Sequence, residues 1–410
     1  MPPRNDCLDF IAIHTPELID LLVGEDAVLD EQGEQLRELA DLIQRHYHRN
    51  LHQRLVELKY AYSPFDPDSD CAPLAHIPAQ EKQTRLNDLL SDIIWVLNRA
   101  QFRHLSRQEF EPVLQNASEW GIRMQVDFSL FEHCAVFVRG EEFQTRKLRS
   151  VWTFFQEQDV DVPIYRRLVL LLKLRGDPGL GPTIREHHVY LKLFKEIPRA
   201  DVDMLLPGAR VRMNLMDRGK IGFGLVSGLA TMVWKFFNDL WDFAHQILLT
   251  GSTAKMNVLW GLVAGSLGYG YKSYFDYRST KTAYHLTLTQ SLYFQNLDSN
   301  AGVLTRLFDE AEEQETRKTL LAYFCAWRFA GPQGMTAEEV EAAMGLFLDR
   351  YAGVSTLCTP GLPMATLLEL GLVVQQGASF QAVDISEAIR RIRALRDQPA
   401  APASRLVRRS

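Results

Sequence analysis

Imidazoles and carboxylates set close together are the side chains that hold metal ions, and two such groups lie in the first 70 residues. HYHRNLH contains His46, His48 and His52. His48 and His52 stand four apart, on one face of a helix, as two metal ligands would. No third ligand follows at a diagnostic spacing, and polar helix positions with some packing are the plainer reading. FDPDSD supplies Asp66, Asp68 and Asp70, alternating carboxylates that could open a calcium loop. The sixth position is Cys71 where a glycine is needed, and the twelfth is Ile77 where a glutamate is needed, so an EF-hand fails on both tests. A turn capped by aspartate side chains is the plainer reading here. If the two groups met in the fold, His48, His52, Asp66, Asp68 and Asp70 would form a His/Asp metal site.

Other motifs carry less. GFGLVSG, with Gly222, Gly224 and Gly228, loosely resembles a dinucleotide loop, but it follows a basic DRGKI stretch and no clear strand. GxxxxGK[ST], GxSxG and HExxH do not occur. We therefore assign no catalytic residue and expect no cofactor; a metal-dependent enzyme would rest on the His/Asp groups alone. QNLDSNAG, with Gln295, Asn296, Asp298 and Asn300, is unusually polar between apolar helical stretches and reads as an interhelix contact or a loop. Asp309, Glu310, Glu312, Glu313 and Glu315 follow, and read as a solvated helix face.

The whole chain sets bounds on these readings. Its 410 residues are enough for two or three domains. A hydrophobic fraction of 46% and a charged fraction of 23% are ordinary for globular material. Mean hydropathy of -0.14 excludes a polytopic membrane protein but allows one or two spans. A net charge of -6 gives no global reason to bind nucleic acid. Cys7, Cys71, Cys134, Cys325 and Cys358 lie far apart and form no CxxC pair, which suits a reduced compartment and thiols used as small buried hydrophobes. The opening MPPRNDCLDF lacks the apolar core of a secretory signal and is too acidic for a convincing transit peptide.

The elements that would position these side chains divide the sequence into six parts. Residues 1–118 read as a helical domain. Thr15 is a candidate N-cap before Pro16. Leu36, Leu39, Leu42, Ile43 and Tyr47 repeat at helical spacing over 31–60, and helices follow over 81–100 and 106–120. Residues 119–216 read as a small α+β domain. Alternation over 122–128 and 134–138, with the runs LVLLLKL and HVYLKLF, predicts strands of one sheet. Residues 217–275 carry a hydrophobic hairpin and 276–331 one long helix. Residues 332–397 give helix, helix, short hairpin, helix, a winged-helix-like unit. The tail over 398–410 is Pro/Ala/Ser-rich and reads as disordered. The fold class expected is α+β, mostly helical. The candidate recognition segment LPMATLLEL has no Lys or Arg, so we expect that unit to pack or to contact protein.

The hairpin is the feature most informative about location. Its runs, 221–234 and 256–271, contain no charge. They span roughly 21 and 24 Å, short of a ~30 Å hydrocarbon core. Three features favour a membrane nonetheless. Arg210, Arg212, Arg218 and Lys220 precede the first run, and Lys272 follows the second, the asymmetry of two spans with both ends on the cytoplasmic or matrix side. Trp234, Trp241 and Trp260 lie near the ends, as interfacial aromatics do. Gly224 and Gly228, and Gly261 and Gly265, form GxxxG pairs that let helices approach closely. The basic residues would meet anionic headgroups. A glycine-packed hairpin buried inside protein is the alternative.

Several stretches resemble one family of uncharacterised membrane proteins that includes transmembrane protein 143. They are YSPFDPDSD at 62–70, YLKLFKEIPRADVDMLLPG at 190–208, VRMNLMDRGKIG at 211–222 and the long run from 268 to 315. The resemblance implies a central hydrophobic hairpin and marks the FDPD turn and QNLDSNAG as family signatures. It implies no activity. We expect a membrane-anchored structural or interaction protein in a bacterial inner membrane or a mitochondrion. Its partners would be the lipid bilayer and a second copy of itself, not nucleic acid. A nucleic-acid-binding regulator is the least favoured alternative, and any small-molecule ligand is unspecified.

Overall fold

The run LVLLLKL becomes the middle of a five-stranded antiparallel sheet. The structure is a computed structural model and describes residues 10–24, 30–70, 78–106, 123–149, 157–175, 188–208, 210–212, 293–352 and 362–397. The chain divides into two units. The first combines Met1–Phe110, Phe128–Arg199 and Asn296–Ser410; the second combines Glu111–Asp127 and Ala200–Gln295.

In the first unit, β1 (Arg103–Leu105), β3 (Phe131–Arg149), β4 (Glu157–Leu174), β5 (Val189–Pro198) and β7 (Asn296–Ser299) lie side by side in that order. Every neighbouring pair is antiparallel. One face carries Phe137, Val169, Leu171, Val189, Leu191 and Leu193, which join the helices in one core. The other face carries Val136, Leu168, Leu170 and Leu172, also buried. Apolar side chains on both faces explain why LVLLLKL is continuous and not alternating.

Helix α1 (Thr15–Val23) and the 33-residue α2 (Asp30–Tyr62) come first, then α3 (Ala79–Arg99). Leu36, Leu39, Leu42, Ile43 and Tyr47 of α2 are all buried, as their spacing predicts. Thr15 is not the cap of α1. His14 holds that place, and the Thr15 hydroxyl accepts from Arg317 Nε at 3.1 Å. Helix α4 (Ala301–Arg328) runs through the centre of the unit and is buried from Gln314 to Ala326. After it come α5 (Ala337–Ala352), α6 (Leu362–Glu369), the hairpin of β8 (Val373–Gln376) and β9 (Ser379–Ala382), and α7 (Ile385–Asp397).

This last group reaches further back than residue 332. Leu320–Ala326 of α4 belong to its core, and Met335 pairs with Phe380 of β9 through two backbone hydrogen bonds of 2.9 and 2.7 Å. Gly334 makes that pairing feasible: its φ is +74°, and a Cβ there would stand 2.7 Å from the Phe380 carbonyl oxygen. Thr336 and Glu339 close a reciprocal capping box at the start of α5.

Three further expectations differ from the structure. The helical segment 1–118 and the sheet are not separate domains, because α2, α3 and α4 share one core with β3, β4 and β5. The long helix expected over 276–331 begins at Ala301, and Asn296–Ser299 is a strand on the sheet edge. The predicted strands do not all join one sheet: β2 (Arg123–Gln125) pairs with β6 (Arg210–Arg212) in a two-stranded sheet of the second unit. The hydrophobic hairpin over 217–275, the helix expected over 106–120 and the tail over 398–410 lie outside the described residues. So do Gly224, Gly228, Gly261, Gly265, Trp234, Trp241, Trp260, Arg218, Lys220 and Lys272. Among the described residues, no helix is long and apolar enough to cross a membrane.

A polar spine along the central helix

The five proposed metal ligands do not come together. His48 lies inside α2 and Asp66, Asp68 and Asp70 lie beyond its C-terminal end, so about 20 Å of helix separates them. His48 Nδ1 instead meets Glu312 Oε2 of α4 at 2.9 Å, and its ring stacks on His52 at 5.7 Å. His52 and Asp70 are exposed. Asp66 accepts the Asp68 backbone N–H at 3.0 Å, a capped turn. Burial raises the Asp66 pKa, against the lowering effect of that hydrogen bond. Among the described residues, no three His, Cys, Asp or Glu side chains are arranged to hold a metal ion.

The structure instead joins the two segments marked as family signatures. Asn300, between β7 and α4, is 4% exposed and adopts φ 51°, ψ -121°. Its Nδ2 donates to Asp68 Oδ2 of the FDPD turn at 2.5 Å. Its Oδ1 accepts the Leu191 N–H at 3.2 Å, and its own N–H donates to the Leu191 carbonyl at 2.8 Å. Beside it, the Tyr62 hydroxyl at the end of α2 donates to the Val189 carbonyl at 2.7 Å. Burial raises the Tyr62 pKa, with Asp66 and Asp68 adding to the effect. One asparagine thus ties the end of α2, strand β5 and the start of α4.

About two and a half turns along α4 the acidic run begins; Asp309 and Glu313 are solvated as expected, but Glu310, Glu312 and Glu315 are not. Glu315 is 9% exposed and faces Arg99 at 3.3 Å; burial raises its pKa. The side chain of Glu310 is 16% exposed. It pairs with Arg139 at 2.7 Å and approaches Arg306 and Arg167 at 3.6 and 3.8 Å. Arg139 also donates to the Ala100 carbonyl at 2.8 Å, and its guanidinium lies over the rings of Phe10 and Phe102 at 4.8 and 4.7 Å. Further along, Arg317 and Gln314 hold the Ile11 backbone, and Tyr47 meets Thr319 at 2.7 Å. From Asn300 to Thr319, α4 organises its neighbours by polar contacts inside an apolar core. Such contacts favour one packing, since a misfit leaves charge unpaired. No spacing rule identifies Arg139, Arg167, Arg306 or Glu310 in advance; a strand register does.

The second unit holds its own perturbed group. Asp203 is 3% exposed, and burial, reinforced by Asp201, pushes its pKa up to about 7. The folded state then binds this proton more tightly than the unfolded state, where the value is 3.8. Asp203 therefore favours folding below about pH 4, and that contribution is lost as pH rises to about 7. We expect Asp203→Asn to raise stability at pH 8 by about 2 kcal/mol, below the ~4 kcal/mol ceiling of a three-unit shift because buried sites relax. At pH 4 it should change little. Equal effects at both pH values in urea titrations would rule out a titrating Asp203.

No solved structure matches the chain. Residues 131–302, from the start of β3 to the start of α4, match the model of a family described as protein of unknown function (DUF3754). The match contains Arg139, Arg167 and Asn300, while their partners Glu310 and Asp68 lie outside it. The chain therefore carries a DUF3754 domain, a domain of unknown function, whose polar contacts extend into the helices on either side.

Proposed function

We propose that this protein is a membrane-anchored structural or interaction protein, held by the hydrophobic hairpin over 217–275 and self-associating through its glycine pairs. The observation that best supports this concerns chain path. The first unit is left at the end of β5 and rejoined at β7, and these two strands are antiparallel neighbours with Phe194 opposite Asn296. Both ends of the intervening segment thus start from one sheet edge, which suits an even number of crossings. The uncharged runs, their basic flanks and the GxxxG pairs support the same reading. So does the resemblance to the membrane family that includes transmembrane protein 143. The C-terminal helices and hairpin act as a winged-helix-like contact module, since α6 offers no cation to phosphate.

The membrane fraction tests the anchor. The protein should resist high salt and alkaline carbonate and leave only with detergent. Release by high salt alone refutes integral insertion. In detergent, Gly228→Leu with Gly265→Leu should shift crosslinked dimers to monomers. Unchanged dimers would locate self-association elsewhere.

A further inference from the structure

Three cations stand in one row across the sheet. Arg139 of β3 is directly opposite Arg167 of β4, and Arg167 is directly opposite Lys195 of β5. Opposed residues of antiparallel strands project to the same face, and like charges there repel. This row faces α4, which adds Arg306. The carboxylates facing the row are Glu310 and Asp298. Asp298 is taken by Arg306 at 3.1 Å, and Glu310 makes its close contact, 2.7 Å, with Arg139. Arg306 is thereby paired, and what is left for Arg167 is the other Glu310 oxygen, 3.8 Å away, beyond good hydrogen-bond length, and approached by Arg306 at 3.6 Å as well.

Arg139 and Arg306 thus each have a close carboxylate, and Arg167 has only a long contact. Glu141, one residue pair further along the same face, is already shared by Arg103 and Arg199. Arg167 Nε is buried and has no hydrogen-bond partner among the described residues. Lys195 has no ion-pair partner among them either. Arg139 is sealed in the core, but Arg167, Lys195 and Arg306 are half-buried, and among the described residues no strand pairs with β5 past Phe194, beside Lys195. Two half-buried guanidiniums and an ammonium, set on adjacent strands and the helix that faces them, with Arg167 Nε unspent, match a tetrahedral dianion better than a lone carboxylate.

We propose that Arg167, Lys195 and Arg306 bind a phosphate group, carried by a phospholipid headgroup or by a soluble phosphate compound. The site needs neither the hairpin nor membrane insertion. It is tested on the full chain in detergent with three probes: inorganic phosphate, short-chain phosphatidic acid below its micelle concentration, and short-chain phosphatidylcholine. Inorganic phosphate should raise the unfolding midpoint saturably relative to chloride at equal ionic strength. Lys195→Gln, which breaks no ion pair or side-chain hydrogen bond among the described residues, should weaken half-saturation about tenfold or more while leaving the phosphate-free midpoint within a degree or two. Arg167→Gln should weaken half-saturation by as much, measured against its own phosphate-free midpoint. Phosphatidic acid binding more tightly than inorganic phosphate identifies a headgroup site; equal or weaker binding identifies a soluble phosphate compound. Equal responses of wild type and both variants to every probe, or a response to phosphatidylcholine as large as to phosphatidic acid, would overturn the proposal.

Discussion

Glu310→Ala will destabilise the protein by about 3–5 kcal/mol, the usual cost of leaving a buried ion unpaired. The reason lies in what stays behind. Arg139 keeps its aromatic walls and one carbonyl acceptor, but these do not neutralise a guanidinium. Burial already lowers the Arg139 pKa, and Glu310 is the main influence opposing that. Arg167 and Arg306 lose their common oxygen in the same step. An exposed pair would cost less than 1 kcal/mol, so the size of the loss reports burial directly. Arg139→Met in the Glu310→Ala background should recover half the loss or more, because it removes the stranded charge and suits the apolar walls. Urea titrations of the full chain give both numbers. A loss under 1 kcal/mol, or no recovery in the double variant, would show that Glu310 does not neutralise Arg139.

Asn300→Ala ranks second, at about 2–4 kcal/mol. It removes the hydrogen bond to Asp68 and leaves the buried Leu191 N–H without its acceptor. It also sets alanine at φ 51°, where side chains with a Cβ are strained by roughly 1–3 kcal/mol. Asn300→Gly separates these causes, since glycine tolerates the conformation and makes no side-chain bond. Glycine should be better than alanine by about 1 kcal/mol and still worse than asparagine. If glycine matched asparagine, the side-chain bonds to Asp68 and Leu191 would contribute nothing.

Where one helix or strand decides a residue's environment, the sequence was readable. The spacing of Leu36, Leu39, Ile43 and Tyr47 is set within α2 alone, and those side chains are buried. LVLLLKL lies within β4, and all of HVYLKLF but His188 lies within β5. The polar strand β7 escaped because four residues paired to β5 across about a hundred others carry no period of their own. Glu310 and Glu315 in the acidic run of α4 misled for a similar reason, whereas Asp309 and Glu313 are exposed. Alone, both would be solvated; inside the unit, Arg99 meets Glu315 and Arg139 meets Glu310. The FDPD turn and QNLDSNAG were each conspicuous, but their junction spans 232 residues and has no local signature. His48 and His52 were correctly placed on one helix face, and their partner is Glu312, not a metal ligand set.

The late position of α4 has a consequence for synthesis. Helices α1 to α3 and strands β1 to β5 are complete by Pro198, yet the helix that fills their shared core begins at Ala301. At roughly 5–20 residues per second, the ~100 residues between take on the order of 5–20 s to translate. During that interval Phe137, Val169, Leu191 and Leu193 lack the central helix that covers them, and Arg139 lacks Glu310. The ribosome-bound chain therefore presents an open apolar groove just as its most hydrophobic stretch emerges. Chaperone capture and delivery of that stretch compete within the same few seconds, and the order in which they act sets the yield of folded protein.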